Sequence, residues 1–183
     1  MNDFQGFEII NPDKIEEYRH PGIWAMFGIR KGSNQRKYEC LNVGKNKDIG
    51  AELKIDFERL KEFNLCKKRV YRNQFNEYMF DYCEFASRLD WLYKEISERY
   101  EEILVILVAK KSEYVLEKYF AYATKAAYWV SNGKYNPERK IDESEIDRIK
   151  KAIDISSENE TLIRQIDELS NWLKKHNTCE NES

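Results

Sequence analysis

Six basic side chains between residues 45 and 72 could bind phosphate groups. They are Lys45, Lys47, Lys67, Lys68, Arg69 and Arg72. From residue 28 to residue 72 the chain has 13 Lys or Arg against 6 Asp or Glu, whereas residues 73–183 have 16 against 22. Because phosphate contacts depend on local charge, a net charge of −2 is compatible with a nucleic-acid partner. A solvated surface of mixed charge is the other explanation of this bias.

A glutamate on a predicted helix is a second candidate for chemistry. The helix is predicted over 113–130, after Ser112 as N-cap, from an apolar stripe with helical spacing. The stripe consists of Leu116, Phe120, Ala123, Ala127 and Val130. On a helical wheel Glu117 lies about a quarter turn from the middle of this stripe, at the margin of the core. A carboxylate there can hold a metal ion, or it can be solvated or paired with a lysine.

Several function classes are disfavoured by what the sequence contains. Its four cysteines are scattered without a CxxC pair, and with two histidines they make a zinc site improbable. No apolar run approaches the roughly 20 residues of a membrane span, and residues 1–11 do not resemble a signal peptide. We therefore expect reduced thiols, a cytoplasmic protein and no membrane partner.

A predicted β-hairpin followed by a helix organises the first half of the chain. Residues 23–30 are β-branched and aromatic, a polar loop follows, and residues 38–43 resume an extended pattern. The two strands should pair antiparallel. Gly44 ends the second strand, Asp48 is a plausible N-cap, and Ile49, Leu53 and Phe57 recur at helical spacing. The hairpin therefore leads directly into an amphipathic helix.

The second half of the chain predicts one more strand and several helices. Residues 85–100 have a helical period, and the unbroken apolar run 103–109 has the length of a buried central strand. Beyond residue 140, two helices are predicted. The fold class expected is α/β (α+β), a small antiparallel sheet of about three strands flanked by helices, with a C-terminal helical hairpin.

The predicted elements divide the chain into four parts. Residues 1–20 form an N-terminal cap, 21–140 the main domain, 141–176 the helical hairpin and 177–183 a flexible tail. The last helix has an apolar stripe with 4-3-4 spacing, formed by Leu162, Ile166, Leu169 and Leu173. We expect this stripe to be buried, either against the main domain or in the two-fold contact of a homodimer.

The order of these elements resembles the GIY-YIG nuclease domain over about residues 21–137. The matching text is Pro21-Gly22-Ile23-Trp24 for the first motif, Asn42-Val43-Gly44-Lys45-Asn46-Lys47-Asp48-Ile49 for the second, Leu116-Glu117 on the acidic helix, and Tyr135-Asn136-Pro137 after it. The resemblance implies phosphodiester hydrolysis, with two motif tyrosines that help to activate water, an arginine that stabilises the phosphate and a glutamate that holds one metal ion.

Carried over residue by residue, the resemblance assigns roles that only some side chains can fill. Glu117 would hold Mg²⁺ or Mn²⁺, and Asn136 is the asparagine after the helix. Trp24 and Asn42 take the places of the two tyrosines, and neither carries a phenol. Glu52 and Asp56 stand at the positions of the arginine and a histidine. The candidate replacements are Tyr38, which simple alternation puts on the strand face of Asn42, and Lys45, Lys47, Lys54 or Arg59.

Three hypotheses about function follow from the sequence. The first is a GIY-YIG-like protein that binds nucleic acid or a partner, with weak or lost endonuclease activity. The second is an active, divergent, metal-dependent DNA endonuclease. The third is an unrelated α/β interaction module that dimerises through its C-terminal helices. Convergence of Tyr38 and of a lysine or arginine on Glu117 would favour the second hypothesis over the first.

Overall fold

A computed structural model describes residues 4, 6–61, 69–72, 78–81, 88–131, 134–135 and 143–177. The strands are β1 (Glu8–Ile9), β2 (Gly22–Arg30), β3 (Tyr38–Asn46), β4 (Arg69–Arg72), β5 (Tyr78–Asp81), β6 (Tyr100–Ala109), β7 (Val130–Ser131) and β8 (Lys134–Tyr135). The helices are a 3₁₀ helix (Pro12–Tyr18), α1 (Ile49–Lys61), α2 (Arg88–Arg99), α3 (Tyr114–Ala123), α4 (Glu143–Lys151) and α5 (Ser157–Asn177). The described part of the chain is thus an α+β fold, as predicted.

The main sheet is antiparallel and has the strand order β1-β6-β2-β3. Its interior strands are β2 and β6, and the first eight of the nine residues of β2 are buried because both faces of the sheet are covered. The predicted hairpin of β2 and β3 and the predicted apolar strand, now β6, are confirmed. The fourth strand, β1, is a two-residue strand at one edge. β4 with β5 and β7 with β8 form separate two-stranded pairs.

Helices cover both faces of the sheet. One face, here the C-terminal face, packs Ile23, Phe27 and Ile106 against α3, α4 and α5. The other, here the α1 face, packs alternate residues such as Met26 and Val105 against the 3₁₀ helix, α1 and α2. The alternation follows from the two-residue period of strands, because successive side chains point to opposite faces.

A β-bulge in β3 changes which residues share a face. Met26 is opposite Asn42 but Phe27 is opposite Cys40, so Leu41 is an extra residue on β3. Leu41 packs in the α1-face core, whereas Cys40 and Tyr38 pack on the C-terminal face. A bulge inserts one residue and so inverts the alternation beyond it.

Helix α3 is shorter than the sequence predicted. It ends at Ala123, and Lys125 follows with φ of 54°. The next residues leave the helix to pair with the outer edge of β3, where the backbone N–H of Ala127 donates to the Cys40 carbonyl (3.0 Å) and that of Tyr128 to the Leu41 carbonyl (2.7 Å). Covering this edge satisfies strand groups that an extended helix would have left open.

The helix α5 packs its apolar stripe against the chain's own core. All four residues of the predicted stripe are buried, and Ile166 is fully so (0% exposed). Asp167 beside it accepts hydrogen bonds from Lys150 Nζ (2.6 Å) and from the Tyr119 hydroxyl. The predicted burial is confirmed, and it is burial within one copy of the chain. No helix in the described segments is long and apolar enough to cross a membrane.

Candidate functional site

A pocket of about 250 Å³ lies across the edge strand β3. The lining residues are Trp24, Asn42, Val43, Gly44, Lys45, Glu52, Ile55, Asp56, Arg59, Leu92, Tyr93 and Glu117. They come from β2, β3, α1, α2 and α3. In the pairing of β2 with β3, Val43 is opposite Ala25 and Lys45 is opposite Ile23. Ala25 and Ile23 pack on the C-terminal face, so the pocket is lined by residues from both faces of β3.

Helix α1 supplies three ionisable side chains from one of its sides. Glu52, Asp56 and Arg59 are spaced four and three residues apart, so they lie in a row along the helix. Asp48 caps this helix, its Oδ1 accepting from the Ala51 backbone N–H (2.9 Å), as the sequence predicted. The buried residues Ile49 and Leu53 hold α1 on the sheet, and this contact fixes the direction of the row.

Trp24 forms one wall of the pocket and is tied to Glu52. Its indole Nε1 donates to Glu52 Oε2 (2.9 Å), and Asn46 also hydrogen-bonds this carboxylate. A Cβ on Gly44 would lie 2.5 Å from the indole ring, so only glycine fits at that position. Burial raises the pKa of Glu52, and the hydrogen bonds from Trp24 and Asn46 oppose this shift.

Asp56 is the most deeply buried carboxylate of the pocket, with 4% of its surface exposed. Arg59 Nη1 donates to Asp56 Oδ1 (3.1 Å), and the Tyr93 hydroxyl also bonds this carboxylate. Burial raises the pKa of Asp56 to about 6, against the lowering effect of Tyr93 and Arg59. The pKa of Tyr93 is raised well above its ordinary value, mainly by burial and then by Asp56, while Asn42 hydrogen-bonds its hydroxyl. Tyr93 therefore stays protonated at neutral pH.

Glu117 reaches the pocket from α3 and is 8% exposed. Its Oε1 accepts a hydrogen bond from Trp129 Nε1 (3.2 Å), in the segment that follows α3. Burial raises the pKa of Glu117; Trp129 and the charge of Lys45 lower it, and the charge of Glu52 raises it. The pocket thus combines carboxylates from two helices with the cations Lys45 and Arg59.

The donor set of the pocket is a weak one for a metal ion. Among the described residues there is no group of three or more His, Cys, Asp or Glu side chains that could hold one. Glu117 would be the carboxylate ligand, and Lys45 lies close enough to act on its charge. A Mg²⁺ ion held there would keep several of its waters.

The structure brings four of the predicted site residues together. Trp24, Asn42, Glu117 and Lys45 all line the pocket, whereas Lys47 is exposed and does not line it. Lys67, Lys68 and Asn136 lie outside the described residues. Of Arg69 and Arg72 the structure describes the backbone alone, at the two ends of β4.

The expectation that Tyr38 shares a strand face with Asn42 is wrong. Tyr38 packs against Phe4 on the C-terminal face and lines a separate cavity of about 370 Å³ with Cys40 and Leu173. The reason is the bulge at Leu41, which inverts the alternation that the prediction used.

The sequence identified two cations of the pocket but not Tyr93. Of the four candidate replacements for the motif arginine, Lys45 and Arg59 reach the pocket, whereas Lys54 is exposed and pairs with Glu16 (3.3 Å). Tyr93 was not singled out by the sequence analysis. It lies on α2 three residues before Ile96 and seven before Tyr100, and this period predicts packing but not a contact with Asp56.

Comparison with known proteins provides no family for this chain. The chain matches no protein-family model, no curated protein and no solved structure.

Proposed function

We propose that this protein binds nucleic acid through a GIY-YIG-like domain whose endonuclease activity is weak or lost. One observation carries the proposal: Trp24, Asn42, Lys45 and Glu117, which the resemblance identifies from distant parts of the chain, line one pocket. Lys45 supplies positive charge at the pocket, and Lys47 lies exposed two residues from it. Such charges attract phosphates regardless of sequence.

Weak or absent cleavage is supported by the state of the polar groups in the pocket. Hydrolysis of a phosphodiester needs a base for the attacking water and a cation for the developing charge. Trp24 has no oxygen and its N–H is bonded to Glu52. Tyr93 keeps its proton, because its pKa is raised well above the ordinary value. Arg59 is partly neutralised by Asp56.

A second candidate, an active divergent DNA endonuclease, is favoured by one observation. The carboxyl group of Asp56 has a pKa of about 6 and lies beside an arginine in the pocket. A group with a pKa near the working pH is suited to general-base catalysis. In this alternative Asp56 activates water and Arg59 stabilises the phosphate, with Glu117 holding Mg²⁺ or Mn²⁺.

Binding is tested by the salt dependence of the affinity for duplex DNA. The variant Lys45→Gln with Lys47→Gln should bind more weakly, and the slope of log K against log salt should fall by about 0.9 for each phosphate that the variant no longer neutralises. Lys151→Gln, at the exposed end of α4, is the matched control and should leave both values unchanged. Wild type that binds no nucleic acid at low salt would overturn the proposal.

Cleavage is tested with plasmid and single-stranded DNA in Mg²⁺ and then in Mn²⁺. Wild type, Glu117→Gln and Asp56→Asn should all bind DNA, and none should cut it efficiently. If wild type cuts DNA and both substitutions abolish the cutting, the protein is an active endonuclease and the second candidate is correct. A contaminating nuclease would cut equally in all three preparations.

A further inference from the structure

The size of the pocket limits what can enter it. Its 250 Å³ lie just below the range of about 300–1,000 Å³ that is usual for small-molecule sites. Besides its charged groups it has an apolar part made by Val43, Leu92 and the half-exposed Ile55. A single planar heterocycle suits a hollow of this size with apolar and polar walls.

The pocket presents the acceptor oxygens of three carboxylates, those of Glu52, Asp56 and Glu117. Among the described residues, Glu117 accepts one side-chain hydrogen bond, from Trp129, although an ionised carboxylate offers about four lone-pair sites. Glu52 accepts from Trp24 and Asn46, and the Trp24 N–H and the Tyr93 hydroxyl are already bonded to carboxylates. The pocket therefore favours a guest that brings N–H donors.

The charge of the pocket argues against a phosphate as the buried guest. Three carboxylates, from Glu52, Asp56 and Glu117, face two cations, and one of these, Arg59, is already paired with Asp56 (3.1 Å). A phosphate placed among them would be repelled by the carboxylates at close range. Lys45, and the exposed Lys47 beyond it, remain suited to a backbone phosphate next to the pocket.

We propose that the pocket holds one unpaired nucleobase of a single-stranded nucleic acid and prefers a base with an exocyclic amino group. The proposal rests on the proposed function and specifies its ligand. The amino group donates to the carboxylates, as Asp and Glu accept from the cytosine amino group in known complexes. A base enters such a hollow only when it is out of the duplex stack, so the strand must be single or locally opened.

The experiment compares fluorescence anisotropy of labelled oligo-dC, oligo-dU and duplex DNA at one salt concentration. Cytosine and uracil have the same size, but cytosine carries a C4 amino group with two N–H donors, whereas uracil carries a C4 carbonyl and a single N3–H donor. Wild type should bind oligo-dC about tenfold more tightly than oligo-dU, and duplex DNA more weakly than oligo-dC.

Substitution of the carboxylates tests whether they cause the preference for oligo-dC over oligo-dU. Glu52→Gln and Glu117→Gln keep the side-chain size but replace one acceptor oxygen by a donor, so each should narrow the difference between oligo-dC and oligo-dU. Glu58→Gln is the matched control, because Glu58 is exposed on the same helix as Glu52 and does not line the pocket. It should keep the wild-type preference.

The outcomes separate this proposal from the one on which it rests. Equal affinity of wild type for oligo-dC and oligo-dU, with salt-dependent binding retained, would overturn the base pocket and leave nucleic-acid binding intact. A preference that survives both carboxylate substitutions in folded protein would also overturn it. Wild type that binds none of the three probes would overturn both proposals. If a variant fails to fold, the wild-type comparison of the two oligonucleotides still decides.

Discussion

The packing of α5 and the pocket at β3 bury side chains of different kinds. Leu162, Ile166 and Leu169 on α5 enter an apolar core, and the nearby pair of Lys150 and Asp167 lies about 40% exposed at its margin. The pocket instead buries carboxylates from two helices together with Arg59. Buried charges cost stability unless they are compensated, and groups with shifted pKa values concentrate where a site acts on a ligand. The contrast is consistent with a role of α5 in stability and with the binding proposed for the pocket.

The largest effect on stability is expected from Ile166→Ala. Ile166 is fully buried in the apolar core of the C-terminal face, so its truncation should lower the free energy of unfolding by about 2–5 kcal/mol. Urea unfolding measures this change. Ile155→Ala, at a position 84% exposed, is the control and should change stability by less than about 0.5 kcal/mol. A folded Ile166→Ala with altered affinity for nucleic acid would break the assignment of α5 to stability alone.

The next effect concerns the pH dependence of stability at Asp56. Its pKa is about 6 in the folded chain against an ordinary 3.8, so between these values the unfolded state ionises first. The contribution of Asp56 to the free energy of unfolding therefore falls as pH rises from about 4 to about 6. Above this range it no longer changes with pH. Asp56→Asn removes this titration, and its stability relative to wild type should rise by about 2–3 kcal/mol between pH 4 and pH 7.

Urea unfolding of wild type and Asp56→Asn at several pH values makes the comparison. Glu52 and Glu117 titrate in both proteins, so their contributions largely cancel in the difference. Tyr93 keeps its proton throughout this pH range, because its pKa is raised well above the ordinary value. A stability difference that does not change with pH would mean that Asp56 has an ordinary pKa. The pocket would then lack a buried carboxylate with a raised pKa, which is the feature that most distinguishes it from the packing of α5.

A smaller effect is expected from Gly44→Ala. The new Cβ would overlap the Trp24 ring at 2.5 Å, so the indole must move away from Glu52, at a cost of about 1–3 kcal/mol. The affinity for oligo-dC should fall as well. The same substitution in a Trp24→Phe background should cost less, because the overlapping atoms are gone. An equal cost in both backgrounds would point to backbone strain instead of the contact with Trp24.

Much of the fold could be predicted from local sequence patterns. The β-branched and aromatic run with the polar loop after it predicted the hairpin, the unbroken apolar run predicted β6, and the 4-3-4 spacing predicted the buried stripe of α5. The margin position of Glu117 also followed from the helical wheel, and the structure places it in the pocket. These features depend on residues within one element, where the periods of helix and strand fix the face of each side chain.

The end of α3 and the face of Tyr38 could not be predicted, because tertiary contacts decide both. Residues 124–130 continue a helical pattern, yet the chain leaves the helix to bond the open edge of β3. The bulge at Leu41 arises in the pairing of β3 with β2, and nothing within β3 alone signals it. A single inserted residue then moves Tyr38 to the opposite face from Asn42.

The sequence alone was enough to predict the hairpin of β2 and β3, the strand β6 and the buried stripe of α5. The spacing of Glu52, Asp56 and Arg59 places them in a row on any helix. Contacts between distant elements bring this row together with Tyr93 and Glu117, which come from other helices, in one pocket. The same contacts bury Asp56 enough to raise its pKa. Within an uninterrupted helix or strand, the face of each side chain follows from local geometry and can be predicted along the chain. Burial and the pKa values of carboxylates depend on neighbours far away in sequence, and only the folded chain brings these neighbours together.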